Sequence, residues 1–233
     1  MCGRYANHVK HMGDWAEILG DWPADVTLGY NIAPSQTVPA FRFNTETRKP
    51  EGLPMRWGLV PGWSREISNK FATFNARSET MAEKPTFRTA WNKSQTCLVP
   101  ALGYYEWKGP KGNKQPYFIR TQNGEPLVMA GLWDHWQRGG EELLSCTIIT
   151  QPSAGSLSEV HSRMPVMLEH QYALNWLEDG PNRFNLLLKQ QHTERLEYYP
   201  VSKTVNRSTS DGEELVMPIE LNNTDNNEEQ PGI

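Results

Sequence analysis

Apolar residues along this chain fall mostly into short runs bounded by Gly, Pro, Asn and Asp, the pattern of strands joined by turns. Val9, Met12, Trp15, Ile18 and Leu19 instead keep helical spacing, and the Gly-Asp-Trp-Pro that follows would end that helix. Strands are predicted at 38–43, at 55–63 with a break at Pro61-Gly62, at 116–121, 127–136, 142–150 and 166–168, and at 196–202 to close the sheet. The run CLVPALGYYEWK (97–108) reads as one strand, GPKGNKQ after it as a turn, and QNGEP (122–126) as a tight hairpin connector. Short helices are predicted for FRTAWNK, SAGSLSEV and EHQYALNWL. Strands in hairpin-rich order with few long helices between them imply an α+β fold. Its core would be mainly antiparallel and β-barrel-like, with short peripheral helices, in a single domain over 2–207. The remainder, 208–233, reads as an acidic polar tail that is partly disordered.

Composition narrows the class. With 233 residues, 37% hydrophobic side chains and mean hydropathy of -0.66, the chain suits one sizeable soluble core. It lacks an 18-residue apolar run and a signal-peptide pattern, so a cytoplasmic protein with no membrane partner is expected. Three cysteines, Cys2, Cys97 and Cys146, show no metal-type spacing and read as reduced thiols. Net charge is -4, which taken alone speaks against nucleic acid. Seven of the 27 acids lie beyond Ser208, however, and none of the 23 Lys and Arg residues do, so the body is slightly basic and can carry a local cationic cleft. Most of the nine tryptophans are expected in the core.

The candidate chemistry starts at Cys2. A cysteine here is either a buried small hydrophobe or, once Met1 is removed, a residue carrying two nucleophiles. Its α-amine and thiol, with ordinary pKa values near about 8 and about 8.5, would both be partly nucleophilic at neutral pH. Such a 1,2-aminothiol condenses with an aldehyde to an imine, which the thiol closes to a thiazolidine. In FNARSET, an extended backbone would put Asn75, Arg77 and Glu79 on one face, suiting an oxygen-rich ligand or equally a solvated edge. Glu106 sits within an aromatic strand. Turned inward it is a general acid or base with a raised pKa, but alternation alone favours an outward, exposed carboxylate. His161 lies in a loop close to Arg163, where a structural role is the ordinary one. His8 and His11 lack a third ligand, so no metal is expected.

Seven segments in order, MCGRY, NIAP, WGLVPGW, NARSET, LVPALGYYEW, MAGLW and HSRMPVML, make the chain similar to the SOS-response-associated peptidase family of abasic-site shielding proteins from Cys2 to about Asn206. The resemblance implies a compact fold around a barrel-like sheet and a covalent thiazolidine between the N-terminal cysteine and an abasic site in single-stranded DNA. It implies Cys2 as nucleophile, Asn75 on the opened sugar, Glu106 handling protons in closure and reversal, and His161 assisting ring opening. It further implies Arg77 on a flanking phosphate and Arg4, Arg163 and Trp63 lining the DNA cleft, with no cofactor and a monomeric state. The family name adds autoproteolytic exposure of the cysteine, although ordinary methionine removal would suffice. One departure is that Trp63 is followed by Ser64, where many members carry a second tryptophan. Two other readings stay open: a glutamine-amidotransferase-like enzyme, which also starts Met-Cys-Gly, and a non-covalent nucleic-acid binding module with a structural Cys2.

Overall fold

The computed structural model describes residues 2–8, 15, 19–68, 72–189, 191 and 193–221. Most of the helix predicted over 9–19, and with it His11, lies outside these residues; Trp15 and Leu19 from it are buried. Twelve strands are described: β1 (Tyr5–Asn7), β2 (Gly29–Ile32), β3 (Thr37–Asn44), β4 (Lys49–Trp57), β5 (Asn75–Arg77), β6 (Thr96–Ala101), β7 (Gly103–Lys108), β8 (Gln115–Thr121), β9 (Leu127–Arg138), β10 (Glu141–Pro152), β11 (Arg163–Pro165) and β12 (Leu196–Pro200). Two α-helices accompany them, α1 (Pro85–Asn92) and α2 (His170–Lys189).

The strands form two sheets. One runs β12-β8-β7-β1-β2, antiparallel throughout. The other runs β11-β10-β4-β3-β6-β9, and because β9 also pairs with β10, the pairings β10-β4-β3-β6-β9 close on themselves. That closure makes the barrel-like core, a mainly antiparallel α+β domain as the pattern predicts. Two of its pairings are parallel, β10 with β4 and β10 with β5.

Period-two alternation distributes side chains among three apolar layers. Cys97 and Val99 of β6 join Tyr5, Tyr104 and Ile119 of the five-stranded sheet in a central core, while Leu98 between them faces the helices with Trp176 and Phe184. Ala6, Tyr105 and Phe118, on the opposite face of the five-stranded sheet, are covered by Val205 and Leu215 from the C-terminal segment. Both faces of this sheet are thus buried, which explains its near-continuous apolar run (TyrTyrGluTrp in β7).

The strand predicted at 55–63 lies instead at Lys49–Trp57 and the one at 166–168 at Arg163–Pro165, and three further predicted features differ from the structure. The run 97–108 is two strands in different sheets. The chain bends at Leu102, whose N–H donates to the carbonyl of Ala6 at 2.7 Å, and β7 then starts at Gly103. A Cβ at Gly103 would lie 2.4 Å from the Phe118 ring and 2.5 Å from the Ile119 carbonyl, so only glycine lets β7 approach β8 there. QNGEP is no hairpin connector either, because β8 and β9 belong to different sheets. Third, the helix predicted over 169–177 extends to Lys189, bent at Asp179 just before Pro181, which has no N–H to donate.

Residues 208–221, from the acidic C-terminal stretch, pack as a strap over the five-stranded sheet. Leu215 is fully buried in a 3-10 turn (Glu213–Val216), and an Asp211 carboxylate oxygen accepts the Tyr30 N–H at 2.6 Å. Leu215→Ala is expected to destabilise the fold by about 3 kcal/mol, the usual effect of emptying a buried leucine site, measurable by urea denaturation.

Candidate functional site

Strand β1 is internal to its sheet, flanked by β7 and β2, so the N-terminal residues are drawn into the middle of the molecule. Cys2 has no exposed surface and joins the central core. Its carbonyl accepts a 2.7 Å hydrogen bond from Asn75 Nδ2, and its thiol contacts the carbonyl of Arg4 at 3.9 Å. Asn75 opens β5 and is itself buried; β5 lies parallel to β10, Asn75 opposite Ile148. The Asn75 Oδ1 is buried without a hydrogen-bond partner, which leaves an acceptor open beside Cys2.

In β7, alternation sends Tyr104 and Glu106 toward Cys2, and Tyr105 and Trp107 toward the strap. Glu106 is therefore buried, 3% exposed, against the outward placement that alternation alone favours. The reason is the strap, which makes the second face of the sheet apolar too. Desolvation raises the Glu106 pKa to about 7, partly countered by the positive charge of the chain's amino terminus. Burial pushes the Cys2 thiol well above its usual range, and the Glu106 charge pushes it further the same way.

His161 follows the 3-10 turn Gly155–Glu159, and its Nε2 lies 3.8 Å from Glu106 Oε2. The Arg163 N–H meets His161 Nδ1 at 3.0 Å, with the Arg163 carbonyl at 3.2 Å. Where the Arg163 N–H donates, Nδ1 accepts and the proton of the neutral ring sits on Nε2, toward Glu106. Burial, followed by the charge of the chain's amino terminus, lowers the His161 pKa, so the ring is neutral at physiological pH.

The four cationic or aromatic candidates take different positions. Arg77 and Trp63 are exposed, Trp63 by 60%, on a loop whose backbone is fixed by Gly62 N–H to Asp134 at 3.0 Å and by Trp136 Nε1 to the Ser64 carbonyl at 3.0 Å. Arg163 grips Glu79 with two 2.8 Å bonds and Thr150 with two more, tying the turn after β5 to the His161 loop. That pairing holds the Glu79 carboxyl at about 2. Arg4 is half-buried and turned toward Asn31 and Val205. Asn75 and Arg77 share a strand face, whereas Glu79 lies in the following turn.

Asn31, Thr150 and Lys114 escape sequence reasoning. Lys114, in what reads as a plain turn, bears electrostatically on both Glu106 and His161. Only the β7–β8 register brings it there. Among the described residues no cluster of three His, Cys, Asp or Glu side chains could hold a metal, and no helix is long and apolar enough to cross a membrane.

Comparisons with known proteins show the family. A family model, SOS response associated peptidase (SRAP), matches residues 1–208. The chain belongs to the SRAP family. It is 34% identical over 276 residues to the mouse (Mus musculus) abasic site processing protein HMCES, a match covering 95% of this chain and 77% of that one. It is 35% identical over 224 residues to the abasic site processing protein YoaM of Bacillus subtilis (strain 168), covering 93% and 97%. An X-ray structure of a Bordetella bronchiseptica protein superposes with a TM-score of 0.76 at 28% identity, over 86% of this chain and 100% of that one. The SRAP match thus spans every residue of the Cys2–Asn75–Glu106–His161 cluster.

Glu106 carries a linkage consequence. Its folded pKa is raised above the unfolded carboxyl value, so folding penalises the ionised form. The penalty is absent below pH about 4.5 and complete above pH about 7. Glu106→Gln is expected to stabilise the protein by roughly 1–3 kcal/mol at pH 8 and by nothing at pH 4, as thermal melts at the two pH values would read.

Proposed function

We propose that this protein senses abasic sites in single-stranded DNA and shields them through a covalent thiazolidine formed by Cys2 after Met1 is removed. The observation that carries the reading is the cluster around Cys2: an amide holding its carbonyl and a carboxyl–imidazole pair beside it, the carboxyl poised to exchange protons near neutrality. The naming of the SRAP relatives as abasic site processing proteins points the same way. A thiol with no exposed surface cannot meet an aldehyde, so the reading requires that losing Met1 also opens access to Cys2.

The chemistry balances with these groups alone. Protonated Glu106 gives its proton to the ring oxygen as the sugar opens, with the neutral His161 Nε2–H hydrogen-bonded to that oxygen, and the anomeric hydroxyl returns a proton to the Glu106 carboxylate to leave an aldehyde. The Cys2 α-amine adds to that carbon. Protonated Glu106 donates to the departing hydroxyl, and water leaves an iminium. Because burial keeps the thiol protonated, sulfur adds as its proton passes to the Glu106 carboxylate, which a pKa of about 7 suits. One C–N and one C–S bond form, and one water is lost. Run backwards, the same proton transfers reverse the crosslink. Asn75 Oδ1 is an acceptor for a sugar hydroxyl. Arg77 meets a flanking phosphate, Trp63 stacks on an unpaired base, and Arg163 reaches DNA only by exchanging Glu79 for phosphate. With no base at the target, phosphate contacts dominate and sequence preference is weak. Ordinary aminopeptidase action on Met1 suffices, with autoproteolysis as the family name's alternative route.

Incubation with single-stranded DNA containing one abasic site, then denaturation and mass spectrometry, tests this. The expected mass is the protein without Met1 plus the DNA minus one water, absent in Cys2→Ala; no adduct under any condition overturns the proposal. For Glu106→Ala, adduct should form more slowly or fail to reverse, and wild-type kinetics in both directions would remove Glu106 from the mechanism.

A further inference from the structure

The reactive end of the chain is pinned from two directions, and one of them leads to the other end of the sequence. Asn75 holds the Cys2 carbonyl. Two residues on, the Arg4 carbonyl accepts the Tyr105 N–H at 2.9 Å, while Arg4 Nη1 donates to Asn31 Oδ1 at 2.7 Å and to the Val205 carbonyl at 2.9 Å. Asn31 then uses its amide nitrogen for the carbonyls of Arg207 (2.8 Å) and Ser210 (2.7 Å). One buried amide, 5% exposed, thereby joins β1, β2 and the C-terminal strap. Only Gly3 separates the two pinned residues.

We infer that Arg4 is a positioning residue: locked by Asn31 and the strap, it fixes the tripeptide that presents Cys2, and it is not a phosphate ligand. Several features support this. A guanidinium that serves phosphate offers its fork to solvent, whereas Nη1 of Arg4 is occupied by two interior acceptors and burial lowers the group's pKa. Arg4 precedes Tyr5 of the central core and so falls on the strap side of the sheet with Ala6, away from Glu106. Chain ends fray unless tied down, and a frayed aminothiol would forfeit the geometry that makes ring closure effectively intramolecular. The strap thus acts at a distance on the nucleophile through one hydrogen-bonded chain.

The inference rests on the crosslinking proposed above, and its test has a readout independent of it. Two variants are compared with wild type after thermal melts confirm folding: Asn31→Ala, which breaks the chain at a residue too buried to touch DNA, and Arg4→Gln, which removes the charge. Three quantities are measured: the crosslinking rate at saturating abasic single-stranded DNA, the affinity and its salt dependence for the same strand carrying a tetrahydrofuran site, which has no aldehyde, and hydrogen exchange at the Tyr105 amide. Expected are a fall of about tenfold or more in maximal rate for both variants, affinity within about twofold of wild type, and exchange at Tyr105 faster by about tenfold. Arg4→Lys, which keeps one donor, should recover part of the rate. A loss of affinity in Arg4→Gln with the salt slope reduced by about one would make Arg4 a phosphate ligand and overturn the inference. Unchanged Tyr105 exchange in Asn31→Ala would overturn it as well. If wild type forms no crosslink, the functional proposal fails while the Tyr105 exchange still decides the latch.

Discussion

Everything at this site follows from putting a chain end in the middle of a sheet. β1 is only three residues long, yet it is flanked on both sides, by β7 and β2, and covered on both faces. The terminal residues before it have nowhere to go but the seam between the two sheets. There neighbouring strands supply polar company: an amide from β5, a carboxylate from β7, an imidazole from the loop before β11. Burial does the electrostatic tuning. It holds the thiol protonated, lifts the carboxylate toward neutrality and keeps the imidazole uncharged.

The same burial is a liability that the fold contains. An ionised glutamate under a packed sheet lowers stability, and the Asn75 side-chain carbonyl beside Cys2 has no donor. Such groups persist because the surrounding layers over-determine them. Arg163 ties the turn that follows β5 to β10 by holding both Glu79 and Thr150, and the strap covers the sheet that carries β1 and Glu106. The reactive cluster is therefore supported by contacts that are neither part of it nor adjacent in sequence.

How much of this could be read from the chain depends on the range of the interaction. Strands with clear alternation and turn residues, such as β3 and the β7–β8 hairpin, were legible because their signals are local. The Leu102 bend was not, since Pro100 and Gly103 read equally well as irregularities within one strand; what decides the break is the pairing of Leu102 with Ala6, nearly a hundred residues away. QNGEP has hairpin chemistry but joins strands of different sheets, which no local signal encodes. Glu106 was visible as a candidate and misjudged in direction, because alternation assumes one wet face and the strap removes it. Asn31 stands in the NIAP segment, yet a single amide between aromatic and apolar neighbours shows nothing of the three partners it links.

The internal position of β1 also sets an order of events during synthesis. Arg4 leaves the ribosome 201 positions before Val205. At ordinary translation speeds of about 5–20 residues per second, the partners that lock the N-terminal strand arrive some 10–40 s after it does. Until then the first residues stand outside any fold. The removal of Met1 that the proposed chemistry requires would have that interval in which to occur.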